Sequence, residues 1–308
     1  MKRYILKIFF FFVCAIFLDI LYGQAFSYLR SHAKGGITLK NEYIANICED
    51  DIIIFGSSRA AHHYNPYIIE ESTGLSCYNC GEKGNGIILA YSRFKMILER
   101  HKPKLVLFEV TPDFDYGVGD DNRKYLSYLR PYYDSKAIKD VFKDFDDEMY
   151  CLKMQSKAYQ NTSKLLHNVV DNVVSSDNTK GFLPLYGSIT DDYLITNSTA
   201  NPSILIDSLK LSYVKKLIEE SKSLGIPIVF ISSPLYQCDK YENLGPVYDY
   251  KPAKELCEKN NVPFWDFFSE PSIIYKPQLW HDGGHMNIEG ASVYSRIIAK
   301  RLETLGIN

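Results

Sequence analysis

Three short segments carry the residue types from which nucleophilic acyl chemistry is built. Gly56-Ser57-Ser58-Arg59 offers a serine hydroxyl directly after an apolar run, and His281-Asp282-Gly283-Gly284-His285 offers a carboxylate and an imidazole three residues apart. Gly81-Glu82-Lys83-Gly84-Asn85-Gly86 is a glycine-rich loop. A serine hydroxyl is a weak nucleophile near neutral pH and needs an adjacent base; the base needs a third group to fix its tautomer and stabilise the imidazolium. The spacing of Asp282 and His285 lets both side chains reach one point from a single loop, which makes Ser58, His285 and Asp282 the candidate nucleophile, base and orienting acid. An oxyanion needs preorganised donors. The Gly84 and Ser58 amides are the candidates, with the Asn85 side chain as a further one.

These segments need a scaffold that brings them together. Residues 51–55 form an apolar run ending at Gly56, the pattern of a buried parallel strand followed by a tight turn. Further apolar runs at 76–80, 104–110, 227–232 and 262–267 alternate with helical periodicity over 87–101, 204–224, 250–260 and 288–305. Such alternation predicts an α/β domain with a parallel sheet and helices on both faces. Ligands of open parallel sheets bind beyond the carboxyl ends of the strands, where all three segments fall. Glu109 and Asp113, at the end of the third strand, face the same crevice, either as anchors for Arg59 or as substrate contacts. Arg59 and Asp113 are therefore the candidate substrate-binding residues. His62 and His63 read as part of a helix start beside the serine.

Between about 113 and 203 the periodicity weakens and Tyr, Asp, Lys, Ser and Asn dominate. This segment reads as an insertion with helical patches near 135–145 and 149–174, able to cap the site, since a structureless loop of that length is improbable in a compact domain. Residues 45–308 form the main domain, and residues 1–30 a separate N-terminal segment.

That N-terminal segment sets the compartment. Lys2, Arg3 and Lys7 flank an apolar run from Ile8 to Leu18 that includes four consecutive Phe residues. A basic flank before an apolar stretch is the pattern of export, with the positive charge on the cytoplasmic side. The run is shorter than the roughly 20 residues of a full span and no A-x-A cleavage site follows it, so an uncleaved anchor is expected, with a cleaved signal as the alternative. The remaining chain is then expected to face the periplasm or cell exterior.

Composition narrows the partners. With 35 basic and 37 acidic residues, the formal charge is -2, which gives no field to hold a nucleic-acid backbone. The 24 Tyr and 17 Phe suit a sugar-like ligand and equally a Tyr-rich surface. Of the seven Cys, Cys77 and Cys80 form a C-x-x-C without a second pair at zinc-site spacing. His281, His285 and Asp282 lack a third strong ligand nearby. Neither a metal nor a cofactor is expected.

The segments Ile54-Phe55-Gly56-Ser57-Ser58-Arg59, Asn79-Cys80-Gly81-Glu82-Lys83-Gly84 and Asp282-Gly283-Gly284-His285-Met286-Asn287-x-x-Gly290-Ala291 resemble the first, second and last blocks of the SGNH (GDSL-type) hydrolase superfamily. The resemblance is greatest to its exported branch of D-alanyl transfer and alginate O-acetylation proteins. It implies a flavodoxin-like three-layer αβα sandwich and acyl-ester chemistry on an acylated envelope carbohydrate or small ester. It singles out Ser58 as nucleophile, Gly84 as second-block oxyanion glycine, Asp282 as acid and His285 as base. Two positions depart from the pattern: Ser57 stands where most members have Asp, and Pro112 stands at the place of the third-block Asn. Three readings follow: an esterase or O-acyltransferase, a non-catalytic SGNH-like polysaccharide-binding or envelope interaction protein, and a scaffold for a membrane acyltransferase partner.

Overall fold

The computed structural model describes residues 1–119, 121–145, 148–162, 165–173, 179–189, 204–237 and 248–306. The last part of the expected insertion, 190–203, and Cys238 lie outside the described residues. In chain order the elements are α1 (Lys2–Ser31), α2 (Gly36–Asn46), β1 (Ile52–Gly56), α3 (Ser58–His63), α4 (Pro66–Thr73), β2 (Cys77–Asn79), α5 (Ile87–Leu98), β3 (Leu105–Glu109), α6 (Pro112–Asp115), α7 (Lys136–Lys143), α8 (Glu148–Lys153), α9 (Lys157–Thr162) and α10 (Leu165–Val173). They continue with α11 (Ser208–Ser223), β4 (Ile228–Ser232), α12 (Lys251–Lys259), β5 (Phe264–Asp266) and α13 (Ile288–Glu303). Two compact units result. One comprises Met1–Ile47, Lys95–Glu99 and Asp121–Asp177; the other comprises Cys48–Phe94, Arg100–Asp120 and Asn178–Asn308.

The second unit is built on five parallel strands in the order β2-β1-β3-β4-β5, a doubly wound flavodoxin-like arrangement. Strands β1, β3 and β4 are buried along their whole length, which explains their unbroken apolar sequences. Their side chains alternate between two layers. Ile52, Ile54, Leu105, Leu107, Val229 and Ile231 join one core cluster with Tyr64, Ile69, Ile298 and Leu302, from the segment after α3 and from α4 and α13. On the other face Phe55 meets Phe94 of α5, and Phe108 meets Phe230. Helix α5 in turn packs on α11, where the Tyr91 and Tyr213 rings lie edge to face and Tyr91 donates to Glu220. The sheet is thus the middle of three layers, an α/β fold.

Local signals start and stop the helices that matter here. Asn65 caps α4 by accepting the Tyr67 N–H at 3.1 Å, Pro66 occupies its first turn, and Gly74 ends it with φ +70. Asn287 caps α13 through the Gly290 N–H at 3.0 Å. Gly290 itself has no room for a side chain, because a Cβ there would lie 2.1 Å from the Leu279 carbonyl oxygen.

The other unit is helical. Its first helix, α1, is long and apolar enough to cross a membrane, with mean hydropathy 2.4 over its most apolar window, and it extends past the apolar run to Ser31. Beyond that run it is tied into the unit by specific contacts. Asp19 accepts hydrogen bonds from Lys157 N at 2.8 Å and Ala158 N at 3.0 Å. Arg30 pairs with Glu42 of α2 and donates to Asn161 of α9. Thr38 N–H binds the Asp171 carboxylate at 2.9 Å, and Asn172 donates to the Leu29 carbonyl at 2.7 Å. Gly23 is buried where a Cβ would come 2.5 Å from Lys157 Cβ. Helices α9 and α10, within the patch expected at 149–174, therefore pack against the N-terminal segment.

Candidate active site

The turn after β1 is set by Gly56, whose φ is +141 and where a Cβ would lie 2.5 Å from the Glu109 carbonyl oxygen. No other residue fits this corner without strain. It delivers Ser57 to the N-cap of α3, where its hydroxyl accepts the Ser58 N–H at 2.5 Å, and Ser58 to the first turn, half-buried. The base arrives from the far end of the chain. Residues 281–285 form a tight loop closed by His281 N–H on the His285 carbonyl at 2.9 Å, with Trp280 and Met286 bridged beneath it.

This loop places the three expected residues in line. Ser58 Oγ lies 2.8 Å from His285 Nε2, and His285 Nδ1 lies 2.9 Å from Asp282 Oδ1 and 3.0 Å from Oδ2. With Nδ1–H donated to the carboxylate, Nε2 is the acceptor for the serine proton, the tautomer that base catalysis requires. Asp282 Oδ1 also accepts the Gly284 and His285 N–H groups, each at 2.8 Å. Partial burial works to raise the Asp282 carboxyl, but the His285 ring and these two amides outweigh it and bring it down to about 2. The acid is ionised at any ordinary working pH.

The glycine-rich loop is stitched to the nucleophile helix by Asn79. Its amide nitrogen donates to Ala60 O at 2.7 Å and Tyr64 O at 2.9 Å, while its oxygen accepts Gly81 N–H at 2.9 Å. Glu82 N–H binds the Gly56 carbonyl at 3.0 Å, and the Glu82 carboxylate pairs with buried Arg93 at 2.9 Å. Gly84 is exposed at φ +63 with open space on its Cβ side, so its surroundings leave room for a ligand. Asn85, expected as a side-chain donor to an oxyanion, is buried and turns its amide back onto the Lys83 carbonyl at 2.7 Å. It closes the loop instead.

The two expected substrate-binding residues separate. Asp113 is exposed in α6, and its carbonyl accepts the Lys210 ammonium at 2.8 Å. Arg59 does not face the crevice: it is 3% exposed, with Nη1 on Tyr250 OH at 2.9 Å, Nη2 on the Val110 carbonyl, and Nε 3.4 Å from Glu109 Oε1. The Tyr248 and Tyr250 rings flank the guanidinium at 5.1 and 6.0 Å. The reason is helical geometry, because one residue beyond Ser58 the side chain turns about 100° and enters the core. Burial disfavours its charge, and Tyr250 and Glu109 overcome that penalty.

Of the two roles expected for Glu109, the structure shows the anchor for Arg59, and other residues of the region gave weaker sequence signals. Glu109 is fully buried and accepts from Tyr64 OH, from Ser233 Oγ at 2.7 Å and from Ser233 N at 3.1 Å. His63 is fully buried and meets the same Ser233 Oγ at 3.0 Å. Asp115 accepts Thr111 N–H at 2.6 Å, and burial pushes its carboxyl up to about 7 against the pull of the Thr111 and Ile87 amides. Residues 180–189 run as an irregular strap bonded to the segments that follow Ser58 and flank His285. Leu183 N–H binds Ala61 O at 2.8 Å, Ile288 N–H binds Leu185 O at 2.8 Å, and Ile189 N–H binds Trp280 O at 2.9 Å. His281 Nδ1 donates to Tyr186 O at 2.7 Å. The strap carries no periodic pattern, so only the unbroken apolar run Phe182-Leu183-Pro184-Leu185-Tyr186 hinted at it. Among the described residues, no cluster of His, Cys, Asp or Glu is placed to hold a metal ion.

The sequence matches no family model and no curated protein. Among solved structures it is similar to a protein assigned as an acylhydrolase from Bacteroides fragilis, with 13% identity over 88% of this chain and 97% of that one and a TM-score of 0.43. It is also similar to a GDSL-like lipase from Bacteroides thetaiotaomicron, with 10% identity, 92% and 98% coverage and a TM-score of 0.39. A third, an acetyl xylan esterase, shares 13% identity over 82% of this chain and 98% of that one with a TM-score of 0.39. The fold stands on this chain's own strand order, and the site on its own geometry.

Proposed function

We propose that the chain is a serine esterase or O-acyltransferase of the SGNH type, working through an acyl-serine intermediate on an acylated envelope carbohydrate or a similar ester. The observation that carries this reading is the unbroken line from Ser58 Oγ through His285 Nε2 and Nδ1 to the Asp282 carboxylate, with each step at 2.8–3.0 Å. Two residues on opposite sides of the chain, 227 positions apart, meet with the polarity that proton transfer needs.

In this reading Ser58 Oγ attacks the acyl carbonyl while His285 Nε2 takes its proton. Asp282 holds the ring and stabilises the imidazolium. His285 then returns the proton to the leaving alcohol, and water or a sugar hydroxyl discharges the acyl-serine by the reverse path. The Gly84 and Ser58 amides are assigned to the oxyanion. The Ser58 N–H must then turn from Ser57 Oγ to the substrate oxygen. Asp113, exposed beyond β3, is assigned to the substrate side. The apolar N-terminal helix is assigned as a membrane anchor that holds the catalytic unit outside the cytoplasm, where an envelope glycan or a membrane acyltransferase would supply the ester.

A second reading, a non-catalytic binding domain, draws on that same engagement of the Ser58 amide by Ser57 and on Pro112 in place of a third oxyanion donor. A fluorophosphonate probe separates the two. Covalent labelling of the full chain in detergent, lost in Ser58→Ala, supports catalysis. A folded wild-type protein that stays unlabelled from about pH 6 to 9 overturns it. Competition between water and a sugar acceptor for the acyl group then distinguishes hydrolase from transferase.

A further inference from the structure

His63 sits five residues after the candidate nucleophile, at the end of the same short helix, and is fully buried. Beside the Gly284 backbone, which favours a ring N–H, the ring makes two hydrogen bonds of opposite sense. Nε2 accepts the backbone N–H of Met286 at 3.1 Å, so that nitrogen carries no proton. Nδ1 therefore carries it and donates to Ser233 Oγ at 3.0 Å. Ser233 in turn donates to Glu109 Oε1 at 2.7 Å, and Glu109 is held by Tyr64 OH, the Ser233 amide and the Arg59 guanidinium. Every donor in this chain points toward the Glu109 carboxylate at the end of β3.

Met286 is the residue directly after His285. One turn-and-a-half of helix thus grips the base loop twice: Ser58 binds the His285 ring, and His63 binds the peptide N–H that follows it. The first contact changes during a reaction, because Ser58 loses its proton and becomes esterified. The second does not involve any reacting atom. We infer that His63 is a positioning residue, a neutral imidazole that fixes the base loop to the nucleophile helix through the Met286 amide and keeps His285 aligned when its bond to Ser58 is broken. This deepens the esterase or acyltransferase reading and rests on it. Burial, with His285, Arg59 and His62 nearby, holds the His63 pKa well below 6.5, which suits an acceptor that must stay unprotonated.

The alternative for such a histidine is core packing alone, and the conservative variant distinguishes the two. A glutamine carbonyl reaches about as far as imidazole Nε2 and accepts the same N–H; an alanine cannot. The test uses the full chain in detergent with a fluorophosphonate probe, a p-nitrophenyl acetate assay, and amide hydrogen exchange at Met286. The expected result is that His63→Ala slows labelling and kcat by about 100-fold, the scale of a misplaced catalytic group, with KM changed less than about threefold. His63→Gln recovers most of that loss. Met286 amide protection falls in the alanine variant and returns in the glutamine variant. Wild-type rates in a folded His63→Ala protein, or an alanine defect that His63→Gln does not relieve, would overturn the proposal. If the wild type never labels, the enzyme reading fails instead. The exchange measurement then still decides whether His63 holds Met286: unchanged protection in His63→Ala sinks it.

Discussion

His285 donates Nδ1–H to Asp282 at 2.9 Å while the same carboxylate oxygen accepts the amides of Gly284 and His285 at 2.8 Å. Asp282 therefore orients the ring and also shapes the loop that carries it. Asp282→Asn presents either an N–H or a carbonyl to the ring and favours the wrong tautomer when it presents the N–H. A fall in kcat on the order of 10³–10⁴-fold is expected, with KM little changed. Steady-state kinetics on an activated ester check this. A variant within about tenfold of wild type would remove Asp282 from the catalytic line.

The Arg59–Glu109 pair governs stability beneath the site. Both side chains are essentially inaccessible, and removing one partner leaves an uncompensated buried charge, which typically costs about 3–5 kcal/mol. Glu109→Ala should therefore lower the unfolding midpoint by roughly 10 °C for a domain of this size. Arg59→Met added to it should cost less than the sum of the two single changes, because the orphaned charge is gone. Thermal unfolding of the four proteins tests the coupling. Additive effects would mean that the pair does not interact.

The burial of Arg59 also marks the limit of what the sequence conveys. The β-strands, α5, α11, α12 and α13 were legible because their apolar residues repeat at the period of the element they form. The line of Ser58, His285 and Asp282 was legible because nucleophilic chemistry restricts which residue types can serve together. Arg59 and Asn85 were expected to contact substrate, yet their neighbours are Glu109, Tyr250 and the Lys83 carbonyl, and charge alone does not state which way a side chain turns. His63 read as part of an exposed helix start for the same reason. The strap at 180–189 and the pairing of residues 1–47 with 121–177 rest on contacts across 90 or more positions, which leave no local period.

Gly23 offers a test of that long-range pairing. It lies in α1 where a Cβ would meet Lys157 Cβ at 2.5 Å, so Gly23→Leu must push α1 off α9 or distort one of them. Overpacking of this kind costs about 1–3 kcal/mol. Faster proteolysis within 121–177 is expected for the full chain in detergent, with the activity of the sheet unit as an internal control. Equal cleavage rates in the variant and the wild type would mean that α1 does not hold this unit together.

His63 links stability to pH with a definite sign. In the unfolded chain its imidazole takes up a proton below about pH 6.5, whereas in the fold burial, reinforced by His285, Arg59 and His62, lowers its pKa well under that value. The unfolded state then binds more protons over this window, so stability is fully present above pH 6.5 and falls as the pH drops below it, by up to about 1.4 kcal/mol per unit. His63→Gln has nothing to protonate and should lose less on acidification, though it starts from a lower stability at pH 7.5. His285 and His62 face the same ring but are present in both proteins, so the difference between the two pH curves isolates position 63. Unfolding midpoints measured from pH 7.5 to 5 give that difference; parallel curves would mean that folding does not lower the His63 pKa and that the fold does not hold the ring as an unprotonated acceptor.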